Sequence, residues 1–218
     1  MFTVIGDLVD SRRLPDRAAA QERLGDVLVS VNDDLAEHPL HPPMSQPLHA
    51  TIGDEFQGGA DDLATALLAG LLVRLRLLPA IDVRCGFGHG EITVHDATRR
   101  PLLQDGPGWW AARAAVEELG RRRTARSWYD AGEPSGTSDP VAAGQVGQIN
   151  AFLLARDGLV DRLNDRGRRL LDGLLCGLTQ RELARREGIS EGAVSQQVAR
   201  GVGAVREAHR MLSSGAPR

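Results

Sequence analysis

The sequence contains no lysine; all 26 basic residues are arginine. This excludes chemistry that needs a lysine side chain, such as a P-loop lysine or a Schiff base. An arginine-only basic set is also what a GC-rich coding sequence produces. Cysteine is scarce too. Cys85 and Cys176 stand far apart with no CxxC or other metal-ligand spacing, so a single bridge is the most they could form. They read better as small buried hydrophobes in a reducing cytoplasm. No apolar run reaches the ~18 residues that span a bilayer, so no membrane partner is expected. Met1 to Asp10 carries Asp7 and Asp10 and has no basic stretch ahead of its apolar residues, unlike a signal peptide. The expected location is therefore cytoplasmic. Internal repeats and low-complexity tracts are absent as well.

What is present is an ordinary globular composition. The chain has 218 residues, 42% hydrophobic and 25% charged, with a formal charge of −3. That length suits one large domain or two modest ones. Charge is placed unevenly. Up to Val160, 15 arginines stand against 22 acidic residues, and from Asp161 onward 11 stand against 7. An acidic domain followed by a smaller basic one that meets phosphate would look like this.

Local patterns give a first set of elements. Phe2–Ile5 reads as a strand delivering Gly6-Asp7 at its end, and residues 17–36 read as an amphipathic helix. Four prolines mark 38–47 as a loop, and 48–52 and 56–59 read as strands. Asp61 and Asp62 can cap an apolar helix that runs to Leu78 and ends at Pro79. Ile81–Phe87 and Glu91–Val94 read as a hairpin or bent strand pair around Gly88-His89-Gly90. Pro107 fits the first turn of a helix reaching about Arg123. The Gly-, Pro- and Ser-rich stretch 132–147 reads as a linker between a domain at 1–131 and a helical one at 148–218.

Near the C-terminus, Thr179 is an N-cap with Glu182 at the third helical position, a capping box. Ala184 is small where two helices cross, and Gly188 suits a left-handed turn. Ser190 caps a second helix, pinned by Ile189, Val194 and Val198. That leaves Glu191, Gly192, Ser195, Gln196 and Arg200 facing outward, as a recognition helix presents itself to the major groove of double-stranded DNA. Thr179, Gln180 and Ser190 would lie beside it, while Gln196 and Arg200 are the expected base readers. Arg181, Arg185, Arg186, Arg200 and Arg206 offer phosphate contacts. The segment resembles sigma-factor region 4 and LuxR-type regulators through Leu178-Thr179, Glu182, Ala184, Gly188-Ile189-Ser190, Gly192 and Val194. No core-promoter-binding region precedes it.

In the acidic part, Gly6-Asp7 and Gly53-Asp54 end two apolar segments in the same manner. A glycine before an aspartate at a strand end lets backbone or phosphate approach closely. Two such carboxylates could hold Mg²⁺ or Mn²⁺ for phosphate chemistry. Asp7-Leu8-Val9 resembles the first motif of class III nucleotidyl cyclases, and Thr51-Ile52-Gly53-Asp54 is identical to their second. Gly53-Asp54-Glu55-Phe56 also resembles the GGDEF signature. Arg84-Cys85-Gly86-Phe87-Gly88-His89-Gly90-Glu91-Ile92 is similar to a cyclase strand, and Ala111-Ala112-Arg113 to the end of the cyclase helix motif. With Gly6-Asp7, Val9, Ser11-Arg12 and the terminal helix pair, the whole chain resembles the SatD family.

The resemblance implies an α+β fold (an α/β sandwich), with a ferredoxin-like palm domain followed by an all-α helix-turn-helix domain. It implies Asp7, Asp54 and Glu55 as metal ligands, and a nucleotide along Leu8, Val9, Asp10, Ser11, Arg12 and Gly53. Arg113 would be a catalytic group acting across a homodimer interface. Trp109 stands where cyclases have their catalytic Asn, Ala50 where they read the purine, and Ile52 where GGDEF has its first glycine. His49 and His89 flank the expected site, and Trp109 and Trp110 offer a stacking surface or a helix contact. A DNA-binding regulator that senses a nucleotide is the expectation. A DNA-tethered nucleotidyltransferase and a ligand-free dimerisation scaffold stay open beside it.

Overall fold

The computed structural model describes residues 1–99, 102–132 and 140–214. Its strands are β1 (Phe2–Leu8), β2 (Gln46–Ala50), β3 (Glu55–Ala60), β4 (Val83–His89), β5 (Thr93–Asp96), β6 (Leu103–Asp105) and β7 (Ser127–Asp130). Its helices are α1 (Arg17–Ala36), α2 (Leu63–Leu77), α3 (Pro107–Arg121), α4 (Pro140–Asp161), α5 (Asp165–Leu175), α6 (Gln180–Glu187), α7 (Glu191–Gln197) and α8 (Gly203–Ser214). The protein is mixed α+β. A five-stranded sheet runs in the order β2-β3-β1-β4-β7, and β5 and β6 form a separate two-stranded sheet. β1 is antiparallel to both β3 and β4, whereas β7 joins β4 in parallel. The first four strands and two helices thus follow one another as β-α-β-β-α-β.

Each layer follows from its residues. Asp16 and Asp62 cap α1 and α2 by accepting from the backbone N–H groups of Ala19 and Thr65. α2 is apolar on every side, and nearly all of it is buried between the sheet and the C-terminal helices. Each of its fully buried leucines (Leu67, Leu68, Leu71, Leu72, Leu77) stabilises the fold by roughly 1.5–3 kcal/mol relative to exposure. β1 alternates. Val4 and Leu8 join that large core, while Ile5 packs with Trp109, Ala112 and Val116 beneath α3 on the other face.

α3 lies directly on β4. A Cβ at Gly86 would stand 2.4 Å from the Ala112 carbonyl oxygen, and one at Gly88 would stand 2.3 Å from that of Gly108. Only glycine admits a helix backbone so close to a strand. Thr3 anchors the helix start by donating its hydroxyl to the Gly108 carbonyl at 2.7 Å. This packing corrects the expected strand pair: β4 runs on to His89 under α3, and β5 folds back against β6 instead.

The C-terminal helices are docked on the sheet. The Asn150 side chain accepts from the Tyr129 N–H and donates to the Tyr129 carbonyl, covering the edge of β7. Fully buried Asp157 accepts from the Arg126 N–H at 2.9 Å and pairs with Arg156 at 3.1 Å. One apolar core continues from Val4 through α2 to Leu183, Val194 and Val205. The expected linker at 132–147 is corrected in its second half, because residues 140–147 form the first turns of α4. Residues 133–139 of it lie outside the described residues.

Candidate nucleotide pocket and helix pair

At the C-terminal end of β1 opens a cavity of about 510 Å³ lined by Asp7, Leu8, Asp10, Ser11, Arg12, Arg13, Arg17, Asp54 and Arg84. The sheet register builds it, since Asp7 stands opposite Glu55 on one side and Arg84 on the other. The turn carrying Asp54 is fastened by the Leu8 N–H, which donates to the Asp54 carbonyl at 3.2 Å. Six of the expected site residues therefore meet there: Asp7, Leu8, Asp10, Ser11, Arg12 and Asp54.

Two of the expected contacts do not line it. Val9 instead donates its N–H to the Asp82 carbonyl at 2.9 Å, and the Gly53 carbonyl accepts from Gln21 Nε2 at 2.7 Å. Both hold the loops that frame the cavity.

The backbone turn beside Asp7 is shaped for anions. Asp10 has φ 54° and ψ 29°, the left-handed region that a non-glycine residue rarely occupies. A single 3-10 turn at Ser11–Arg13 follows it. The backbone N–H groups of Asp10, Ser11 and Arg12 make no hydrogen bond among the described residues. A left-handed residue followed by right-handed ones turns successive N–H groups toward one point, the concave nest that binds anions. Arg12 and Arg17 are exposed beside it and form no ion pair among the described residues.

The acidic side chains are partnered differently from expectation. Arg84 Nε and Nη2 donate to the two Asp7 oxygens, both at 2.7 Å. This hydrogen bonding raises the Arg84 pKa further above its ordinary value, with Asp7, Asp54 and Asp10 adding electrostatic support. Arg113 forks onto Glu55 at 2.9 Å to each oxygen, which raises its pKa too. Neither Glu55 nor Arg113 lines the pocket.

The expected trio of metal ligands thus has two members closed by arginine, leaving Asp54 and the exposed Asp10. Among the described residues no group of three or more His, Cys, Asp and Glu is placed to hold a metal ion. This donor set does not fit a resident divalent cation.

Sequence reasoning missed Arg13, Arg17 and the role of Arg84. Arg84 stood in the quoted strand motif, but its partner is fixed only by strand register.

Other candidates fall elsewhere. His89 pairs in register with Phe2, at the far end of β1 from Asp7, and stacks on the Phe2 ring at 4.5 Å. His49 borders a separate cavity of about 340 Å³ with Gln46, Gln57 and Gln104. Trp109 is buried core. Trp110 is exposed and donates its indole N–H to Asp105 at 2.7 Å. Both cysteines are free. Burial raises the Cys85 thiol pKa, and pushes that of Cys176 up to about 12.

The C-terminal pair has its caps in place. Thr179 accepts from the Glu182 N–H, and Glu182 accepts from the Thr179 N–H at 2.8 Å. Gly188 closes α6 with φ 64°, the left-handed geometry that glycine adopts without strain. Ser190 caps α7 by accepting from Ala193, and Val194 is buried beneath it. Thr179, Ser190, Glu191, Gly192, Ser195, Gln196 and Arg200 are exposed, with Gln180 half-buried. The second helix is shorter than its pattern suggested. α7 ends at Gln197, and Arg200 sits in a π-helical turn (198–202) kinked at Gly201.

Fold and site together define a mixed α+β protein with an arginine-rich pocket at one end of its sheet and a capped helix pair near its C-terminus. The SatD family model matches residues 1–199, and the chain belongs to the SatD family. No curated protein matches it. No helix among the described residues is long and apolar enough to cross a membrane.

Proposed function

We propose that this protein is a DNA-binding transcriptional regulator whose sheet domain binds a nucleotide and forms a homodimer. The observation that carries DNA binding is the second helix. Its cap, Ser190, and its anchor, Val194, are fixed, while Glu191, Gly192, Ser195 and Gln196 face solvent on one side. That arrangement supports a helix-turn-helix reading, in which the first half of α7 meets the major groove. Arg185 lies exposed on α6 for phosphate contact, in the stretch from Asp161 onward where arginine outnumbers acid.

For the sheet domain, the β-α-β-β-α-β succession with order β2-β3-β1-β4 is the ferredoxin-like plan of palm domains. The pocket at Asp7 and Asp54 supports a nucleotide there. Dimerisation through this domain would bring two helix pairs to half-sites about one DNA turn, ~34 Å, apart.

Fluorescence anisotropy on a selected duplex tests the DNA reading. Gln196→Ala and Arg200→Ala should each weaken binding by roughly 5- to 150-fold, the equivalent of ~1–3 kcal/mol per base-reading side chain, and relax sequence preference. Unchanged affinity and preference in both variants would refute it.

A further inference from the structure

We propose that the Asp7 pocket binds the phosphate chain of its nucleotide without a divalent cation, Arg84 holding the Asp7 carboxylate where a cation would sit. This rests on the nucleotide reading and sharpens it.

A hard cation such as Mg²⁺ needs carboxylate oxygens at about 2.0–2.1 Å, in near-octahedral directions. Both Asp7 oxygens are already taken by the planar fork of Arg84 at 2.7 Å. A bidentate guanidinium–carboxylate pair is among the strongest side-chain hydrogen-bond arrangements. Glu55, the next carboxylate in register, is closed in the same way by Arg113.

Of the acids lining the pocket, Asp54 and Asp10 remain. Asp10 is 68% exposed and approaches Arg13 only at 3.9 Å. A cation bound to Asp54 would share its small pocket with the Arg84 guanidinium, so like charges would oppose each other.

The same cavity is supplied with donors for an anion. Three backbone N–H groups, those of Asp10, Ser11 and Arg12, converge from the left-handed turn without partners among the described residues. Arg12 and Arg17 add two guanidinium groups from the pocket rim. With Arg13 and Arg84, the lining has one positive charge in excess of its acids. The occupant this selects is a chain of phosphates, and Arg84 neutralises Asp7 so that the chain is not repelled.

Calorimetric titration of the full-length protein with ATP, GTP and tripolyphosphate, in EDTA and in Mg²⁺, tests the proposal. Nucleotide affinity in EDTA should equal or exceed that in Mg²⁺, and tripolyphosphate should displace bound nucleotide. A double variant at exposed positions, Arg12→Ala with Arg17→Ala, should lose at least tenfold. Binding in Mg²⁺ that falls tenfold or more in EDTA would overturn the proposal and leave the nucleotide reading intact. Failure of tripolyphosphate to displace bound nucleotide would overturn it as well. No binding under either condition would remove both.

The free Mn²⁺ resonance signal supplies a readout without nucleotide. Wild type should leave it undiminished, whereas Arg84→Gln should deplete it by releasing Asp7 beside Asp54. Depletion by wild type would contradict the proposal.

Discussion

Removing the Asp157 carboxylate should cost this protein a large share of its stability, although that residue lies outside both the Asp7 pocket and the C-terminal helix pair. Asp157 is 0% exposed and Arg156 1% exposed. The carboxylate accepts from the Arg126 N–H at 2.9 Å and the Ser127 hydroxyl at 3.3 Å, and it neutralises Arg156 at 3.1 Å. Asp157→Ala leaves a guanidinium buried without its counter-charge, which costs about 3–5 kcal/mol. For a chain of this size 1 kcal/mol moves Tm by roughly 2–4 °C, so Tm should fall by about 6–20 °C in scanning calorimetry. Adding Arg156→Met removes the stranded charge and should restore part of the loss, since an apolar replacement of a buried pair is often near neutral. A fall below about 2 °C would refute the claim that this pair fastens α4 to the sheet, by the same scale. So would a double variant as unstable as the sum of the singles.

Acid should loosen the junction between the sheet domain and α8. The His41 ring lies between Thr65 Oγ1 at 3.3 Å and Ser213 Oγ at 3.0 Å, and burial, then the neighbouring His38, lowers its pKa to about 4. Fully buried His209 is lowered in the same direction by burial, then by Arg156 and His41. Each ring stays neutral in the folded state while the unfolded chain takes up protons. The His41 contribution is therefore whole above pH 6.5 and lost as pH falls toward 4, and His209 acts in the same direction. Tm measured across that window should drop more steeply in wild type than in His41→Gln, and parallel curves would count against this origin. Thr179→Ala breaks the capping box and should lower stability by about 1 kcal/mol while weakening DNA binding, as read by thermal melts and anisotropy. If Arg185 meets a phosphate, replacing it with alanine should reduce the slope of log K against log salt by about 1. An unchanged slope would take that arginine off the DNA.

Features encoded within a few residues of sequence were the legible ones. Asp62 before α2, Thr179 with Glu182, and Ser190 before α7 each mark a helix start through a bond to a backbone three residues on. The Asp7 strand end and the Asp54 turn were legible because a glycine precedes each. What could not be read depends on pairing across long separations. Asp7 meets Arg84 across a sequence separation of 77, and Glu55 meets Arg113 across one of 58. No local pattern encodes either fork. β7 is four residues long and is held by β4 on one side and the Asn150 side chain on the other, so its own composition says little. The start of α4 was missed because Val141-Ala142-Ala143-Gly144-Gln145 carries no apolar stripe, although alanine favours helix strongly.

The most direct test of the regulator account is selection of duplexes from a randomised pool by the full-length protein. The account predicts enrichment of a motif with two half-sites whose centres lie about 10–10.5 base pairs apart, or a multiple of that. Arg200→Ala should relax preference at particular positions of it. A pool that stays unenriched after repeated rounds, with uniform weak affinity for all duplexes, would contradict the account.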